Sequence, residues 1–337
     1  MKVCIVGAGA IGGMLAVKLS CAGNTVSVID RGAHLAAIKS KGLHLHWQDG
    51  TVWKAYVKAC DSAADAGAQD LVVLGVKAYD LERAVRDFDG LLGPETMVMT
   101  VQNGIPWWYF QKEGGRFDGR RLDTLDPNGV LADRIDADRI LGCVAYPAAA
   151  LAAPGLIHHV EGDRFPVGEL DGRETERVML ISETFVKAGL KSRVLTDIRA
   201  ELWLKAWGTL SFNPISVLTH ASMAGICRFP ETRRLAVSMM AEAQSIAAKL
   251  GITFRHTIEE RVEGAEKVGE HKTSMLQDLE AARPLETEAL IGAILEIGRM
   301  TSTPAPVIEA VYALVKLLDE TTQAADGAVK TTRPAAA

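Results

Sequence analysis

The stretch Gly7–Gly13, GAGAIGG, constrains this chain more than any other. It follows the short apolar run KVCIV and opens the helically spaced segment IGGMLAVKLSCAG, which Gly23 closes. Gly7, Gly9 and Gly12 stand as G-x-G-x-x-G, with Ile11 inside the same turn. Each glycine has its own reason. The first makes a tight turn, the second lets backbone approach a diphosphate, and the third allows a helix to pack close to a strand. The N–H groups at the helix start are then free to hold phosphate oxygens.

The segments that follow alternate. TVSVID reads as a strand, AHLAAIKSKG as a helix, DLVVLGVK as a buried strand, AYDLERAVRDFDGLLG as a helix and TMVMTVQNG as a strand. Strand–helix alternation means right-handed crossovers and a mostly parallel sheet. RILGCVAYPAAAL, LIHHVEG and RFPVGEL add strands of a less regular part. After about residue 195 the strand pattern stops and long helical segments take over. The expected fold is therefore α/β: a Rossmann-like doubly wound domain at 1–195, then an all-helical domain at 196–320. The small, polar and aperiodic stretch 321–337 reads as a disordered tail.

Composition excludes several functions. The chain has 337 residues, 48% of them hydrophobic and 23% charged, with a formal net charge of -5. No run of like charges suits nucleic acid or a polybasic membrane surface. No apolar run is long enough to span a bilayer, and glycines stud the N-terminal apolar run, unlike a signal peptide. The five cysteines are scattered and never paired as C-x-x-C. They point to a reducing, cytoplasmic setting rather than to disulfides or zinc. HLHWQ and His158-His159 lack metal-site spacing and read as strand residues, so no metal is expected.

Three further features bear on chemistry. At the end of the second strand Asp30 favours a ribose hydroxyl and hence NAD, whereas Arg31 favours a 2′-phosphate and hence NADP. Further on, ELWLKAWGTLSFNP is apolar nearly all round a helix, yet Lys205 stands in its middle. Thr209 and Asn213 follow one and two turns later, and at about 100° per residue they share a face with Lys205. Such a polar stripe suits a helix bordering a ligand cleft, or else a structural seam with Lys205 paired to a carboxylate. Glu286 falls two residues after Pro284, near a helix start where the dipole favours a carboxylate. Ser274 reads on its own as a helix cap. The aromatic run Trp107–Phe110 reads as core or dimer interface before a pocket wall.

Taken together, the glycine loop, VKAYD with Lys77, VQNG with Asn103, Lys205 with FNP, and SMLQD followed by RPLE resemble the ketopantoate reductase family. The resemblance spans nearly residues 1 to 320. It implies an active site in the cleft between a Rossmann domain and a helical domain, and reduction of a 2-keto acid, ketopantoate, by NADPH. It implies Lys205 as general acid and Glu286 as its catalytic partner. Ser274, Thr209 and Asn213 would meet the substrate. Gly7, Gly9, Ile11, Gly12, Arg31, Lys77 and Asn103 would meet NADP, in a cytoplasmic enzyme that forms a homodimer. Three positions depart from the family pattern. Thr209, Met223 and His271 stand where asparagine is usual, which bears on the substrate. The alternatives are a related NAD(P) dehydrogenase for another 2-keto, hydroxy-acid or opine-type substrate, and a non-catalytic NADPH-binding sensor.

Overall fold

A computed structural model of the chain describes residues 1–86 and 88–325. The chain divides into two compact units, Met1–Glu201 and a second that begins at Leu202.

Unit 1 is built on a seven-stranded sheet. Its strands are β1 (Lys2–Val6), β2 (Thr25–Ile29), β5 (Lys58–Cys60), β6 (Gln69–Leu74), β7 (Leu92–Thr100), β8 (Ile140–Cys143) and β11 (Val167–Glu169). They lie in the order β11-β8-β7-β6-β1-β2-β5, all parallel to their neighbours except β11. Chain order thus runs outward from β1 to one edge, returns, and continues to the other. That is the doubly wound dinucleotide arrangement, with its switch point beside β1. Central parallel strands are covered on both faces, so they read as continuous apolar runs. In agreement, Val3, Cys4 and Ile5 of β1 and Leu71–Leu74 of β6 are fully buried.

A second sheet, order β4-β3-β10-β9, is formed by β3 (Leu43–His46), β4 (Val52–Ala55), β9 (Ala148–Ala153) and β10 (Leu156–Glu161). It packs on helix α1 (Ala10–Cys21). Closeness there depends on Gly13, where a Cβ would lie 2.8 Å from Ile157 Cδ1. Farther along α1, buried Lys18 places its ammonium over the rings of Trp47 and Trp53, 4.9 and 4.2 Å from their centroids. Burial lowers its pKa. Helix α2 (Gly32–Lys41) follows β2, and short helices α3 (Ala63–Ala66), α4 (Leu81–Ala84) and α5 (Val130–Arg134) and the longer α6 (Glu176–Lys187) complete the unit.

Helix α7 (Ile198–Thr219) runs across the division between units. Unit 2 continues with α8 (Met223–Arg228), α9 (Pro230–Ala248), α10 (Ile258–Lys267), α11 (Ser274–Glu280), a π-helical turn at Glu288–Gly292, α12 (Ala293–Met300) and α13 (Pro306–Ala324).

Two expectations need correction. AYDLERAVRDFDGLLG is not one helix. Among its described residues it breaks into a 3-10 turn, α4 and a second 3-10 turn, and its last residues join β7. Gly90 is pressed onto α3, where a Cβ would meet Ala63 and Ala64 backbone at 3.1 Å. With glycines at 90 and 93 the helical preference is low, and burial of Phe88 and Leu91 decides the path. The tail also starts later than its composition suggested, because Thr321–Ala324 belong to α13. Thr322 is buried there and donates to Leu318 O at 2.9 Å. The remainder of the expected tail, 326–337, lies outside the described residues, as does Asp87.

Candidate active site

The glycine loop takes the shape its spacing predicts. Gly7 has φ +89, a backbone region that disfavours any side chain, and a Cβ there would lie 2.6 Å from Val76 Cγ1. At Gly12 a Cβ would stand 2.1 Å from Gly7 O, so α1 can approach β1 only with glycine here. Gly9 is different. A Cβ there meets nothing within 4 Å, and Gly9 caps α1 with no side-chain hydrogen bond. The first N–H groups of α1, including that of Ile11, therefore have no helical acceptor and face room that a diphosphate fits.

Beside the loop, at the strand ends, lies a cavity of about 320 Å³. Its walls include Gly7, Asp30, Arg31, Asp80, Arg83 and Arg86. The two residues that sequence left in opposition behave differently. One Asp30 oxygen accepts the Ala8 N–H at 2.8 Å and the other accepts the Arg31 N–H at 2.7 Å. The carboxylate is thus turned into the glycine loop. Arg31 is mostly exposed and reaches Asp80 only at 3.8 Å. An ion pair that long and wet contributes little.

At the end of β7, Gln102 donates to Leu74 O and Val76 O, each at 2.9 Å. It ties the loop after β7 to the loop after β6, which carries Lys77 at the start of a 3-10 turn. Asn103 and Lys77 are half-buried in these two loops. Gln102 had no assigned role from sequence. The aromatic run is core, since Trp107, Trp108, Tyr109 and Phe110 are all buried within unit 1. Trp108 Nε1 donates to Thr100 Oγ1 at 3.0 Å. Arg199 secures the run from α7 by donating to the carbonyls of Tyr109 and Gln111, each at 2.7 Å, and to that of Leu170. Burial lowers the pKa of this guanidinium.

In unit 2 the polar stripe is present. From Glu201 to Val217, only Lys205 and Thr209 escape full burial. The other polar residues of the stretch, Glu201, Ser211, Asn213 and Ser216, are buried, so the helix opens only at Lys205 and Thr209. Asn213 continues the stripe inward, and its Nδ2 donates to Ser274 Oγ at 3.3 Å. Ser274 is not itself the cap of α11. Thr273 is, accepting from Leu276 N–H at 3.3 Å, which leaves the Ser274 hydroxyl for Asn213. Glu286 is buried just before the π-helical turn, a helix irregularity of the kind found at functional sites. Arg261 of α10, not singled out from sequence, packs against α7 at Gly208. A Cβ on Gly208 would be 2.4 Å from its Nη2, so the glycine makes room for a guanidinium beside Thr209. The departing positions Met223 and His271 sit together, with the Met223 N–H donating to His271 O at 3.0 Å. Among the described residues no cluster of His, Cys, Asp and Glu is arranged to hold a metal, and no helix is long and apolar enough to cross a membrane.

The strand order and the open loop make the N-terminal unit a dinucleotide carrier. The class so defined is that of the doubly wound dinucleotide-binding proteins. Within it, residues 3–172 match the family model for ketopantoate reductase PanE/ApbA and residues 197–319 match its C-terminal counterpart. The chain belongs to the ketopantoate reductase family. A 2-dehydropantoate 2-reductase of Mesorhizobium japonicum is 52% identical over 319 residues, covering 94% of this chain and 98% of that one. A candidate ketopantoate reductase from Ralstonia solanacearum MolK2 is 39% identical, with a TM-score of 0.91 over 95% of this chain and 98% of its own. D-mandelate dehydrogenase, solved with NADH and anilino(oxo)acetate, shares the fold at 21% identity, with a TM-score of 0.82 over 96% of this chain and 100% of its own.

Proposed function

We propose that this chain reduces 2-dehydropantoate to pantoate with NADPH in the cytoplasm, a step toward coenzyme A. The observation that carries the reading is the opening at Lys205 and Thr209 on an otherwise buried helix. Reduction of a ketone places negative charge on its oxygen, and a half-buried lysine is a donor that can also release a proton. When bound, the reduced nicotinamide supplies hydride to the keto carbon. Lys205 then holds the ketone oxygen and gives it a proton, and partial exposure lets the lysine regain one from water. Asn213 and Ser274, already hydrogen-bonded to one another, orient the polar end of the substrate. Thr209 offers a hydroxyl that donates to Ala206 O, one turn back at 3.2 Å. Glu286 holds a substrate hydroxyl, and Lys77 and Asn103 meet the cofactor.

NADPH is preferred because Asp30 is occupied by two backbone donors and Arg31 is not tightly held. Dissociation constants measured for both nucleotides should favour NADPH, and Arg31→Ala should weaken NADPH by about tenfold or more while sparing NADH, as loss of a phosphate–arginine pair implies. Tighter binding of NADH by the wild type would overturn this preference.

A second reading, reduction of a different 2-keto acid, is favoured by Thr209 and by the adjoining Met223 and His271. A panel of 2-keto acids, followed by loss of NADPH fluorescence, separates the cases. Oxidation with 2-dehydropantoate supports the first, and oxidation only with other acids supports the second. Binding without turnover marks a sensor. Because the aromatic run is already buried in the single chain, the expected homodimer rests on other surfaces, and light scattering tests it.

A further inference from the structure

We infer that His34 is a positioning residue for the dinucleotide loop, holding the Ala8 peptide against a brace from the second sheet. The inference rests on the dinucleotide reading of the N-terminal unit. His34 lies in the first turn of α2, a helix with no part in the fingerprint, and its ring makes two hydrogen bonds. Nδ1 accepts the Gly155 N–H at 3.0 Å, and Nε2 lies 2.8 Å from Ala8 O. A nitrogen that accepts carries no proton, so the ring is the neutral tautomer with its hydrogen on Nε2, and that hydrogen is donated to Ala8 O.

On the other side of the same residue, the Ala8 N–H is held by Asp30. Both backbone groups of Ala8 are therefore satisfied by side chains, one from the end of β2 and one from α2. Ala8 stands between Gly7 and Gly9, the two residues whose flexibility would otherwise let the loop wander. Fixing its peptide plane directs the following N–H groups of α1 toward the space beside Gly9.

Gly155 belongs to the turn between β9 and β10. The same hairpin touches the first turn of α1, where Ile157 packs on Gly13. One small hairpin thus reaches the loop twice, by a ring hydrogen bond at Ala8 and by packing at Gly13. The consequence is specific. His34 acts on the part of the site that receives the diphosphate, which NADPH and NADH share, and leaves the 2′-phosphate to Arg31.

Three variants test this. His34→Ala removes both hydrogen bonds. In His34→Asn the short amide keeps an acceptor near the Nδ1 position for Gly155 and loses Ala8. In His34→Gln the longer amide places an N–H near the Nε2 position for Ala8 and loses Gly155. Dissociation constants for NADPH and NADH are measured by fluorescence titration, with melting temperature alongside. The expected result is that Ala and Asn weaken both nucleotides by the same factor, about tenfold, and that Gln recovers most of the affinity. Affinity unchanged in a destabilised His34→Ala would overturn the inference and leave a purely structural histidine. So would a loss confined to NADPH, or a Gln variant no better than Ala. Failure of wild-type protein to bind either nucleotide would instead strike the dinucleotide reading, before any variant is made.

Discussion

At the scale of the residue, the two glycines of the loop separate function from fold. Gly9 has open space where its Cβ would be, and Gly12 has a carbonyl oxygen 2.1 Å away. Gly9→Val should therefore leave the melting temperature nearly unchanged and abolish measurable cofactor binding, because its side chain takes the diphosphate's place. Gly12→Ala adds less, yet it must push α1 off β1, and overpacking of this kind costs about 1–3 kcal/mol or more. Calorimetry separates the two variants: Gly9→Val loses binding with its melting temperature kept, and Gly12→Ala loses stability. Lys205 makes a similar distinction. As general acid, its replacement by alanine should lower kcat by about 10²–10⁴, roughly 3–5 kcal/mol of barrier, with cofactor affinity kept. Single-turnover hydride transfer near the wild-type rate in folded Lys205→Ala would exclude the catalytic role.

Elements show where sequence suffices and where it does not. The glycine loop, the parallel strands and α7 were legible because their signals are local: spacing within a turn, runs of buried apolar residues, and one lysine on a greasy helix. The stripe of Lys205, Thr209 and Asn213 follows from helical geometry alone. Asp30 was legible as a residue but not as a role, since its choice between a ribose and the Ala8 N–H depends on how β2 meets the loop. His34 left no trace, for its partner Gly155 lies 121 positions away. The broken helix between Ala78 and Leu92 was missed because contacts from α3 outweigh its local pattern. Arg199 is the same kind of residue, an arginine whose purpose appears only when three carbonyls from distant loops converge on it. Removing it strands those carbonyls and frees the aromatic run. Hydrogen bonds to a charged group contribute about 1.5–3 kcal/mol, and unsatisfied partners add to the loss. Arg199→Ala should thus cost about 2–4 kcal/mol and lower the melting temperature by roughly 3–6 °C in a protein of this size. A shift within a degree or two would mean that water replaces the guanidinium.

For the whole molecule, the cysteines report on how the chain opens. All five are free thiols, and Cys21 alone is exposed. Burial pushes the Cys4 thiol up to about 12 and raises those of Cys60 and Cys227, so none of these three supplies thiolate at neutral pH while folded. A thiol reagent should label one residue quickly in the native protein and all five in denaturant. The slow sites then measure opening. Cys4 lies in the central strand β1 that leads into the glycine loop, whereas Cys227 lies in α8 of the helical unit. A ligand that binds only the folded form at a hundred times its dissociation constant stabilises it by about 2.7 kcal/mol, a factor near one hundred in the open population. NADPH at that concentration should slow labelling of Cys4 by about a hundredfold. Cys227 should be slowed less, because none of the cofactor loop is in its unit and the helices can open without breaking the glycine loop. Mass spectrometry after timed labelling reads each site. Equal protection of Cys4 and Cys227 would show instead that α7, which crosses the division, couples the two units into one opening event, and an unprotected Cys4 would contradict cofactor binding at the loop.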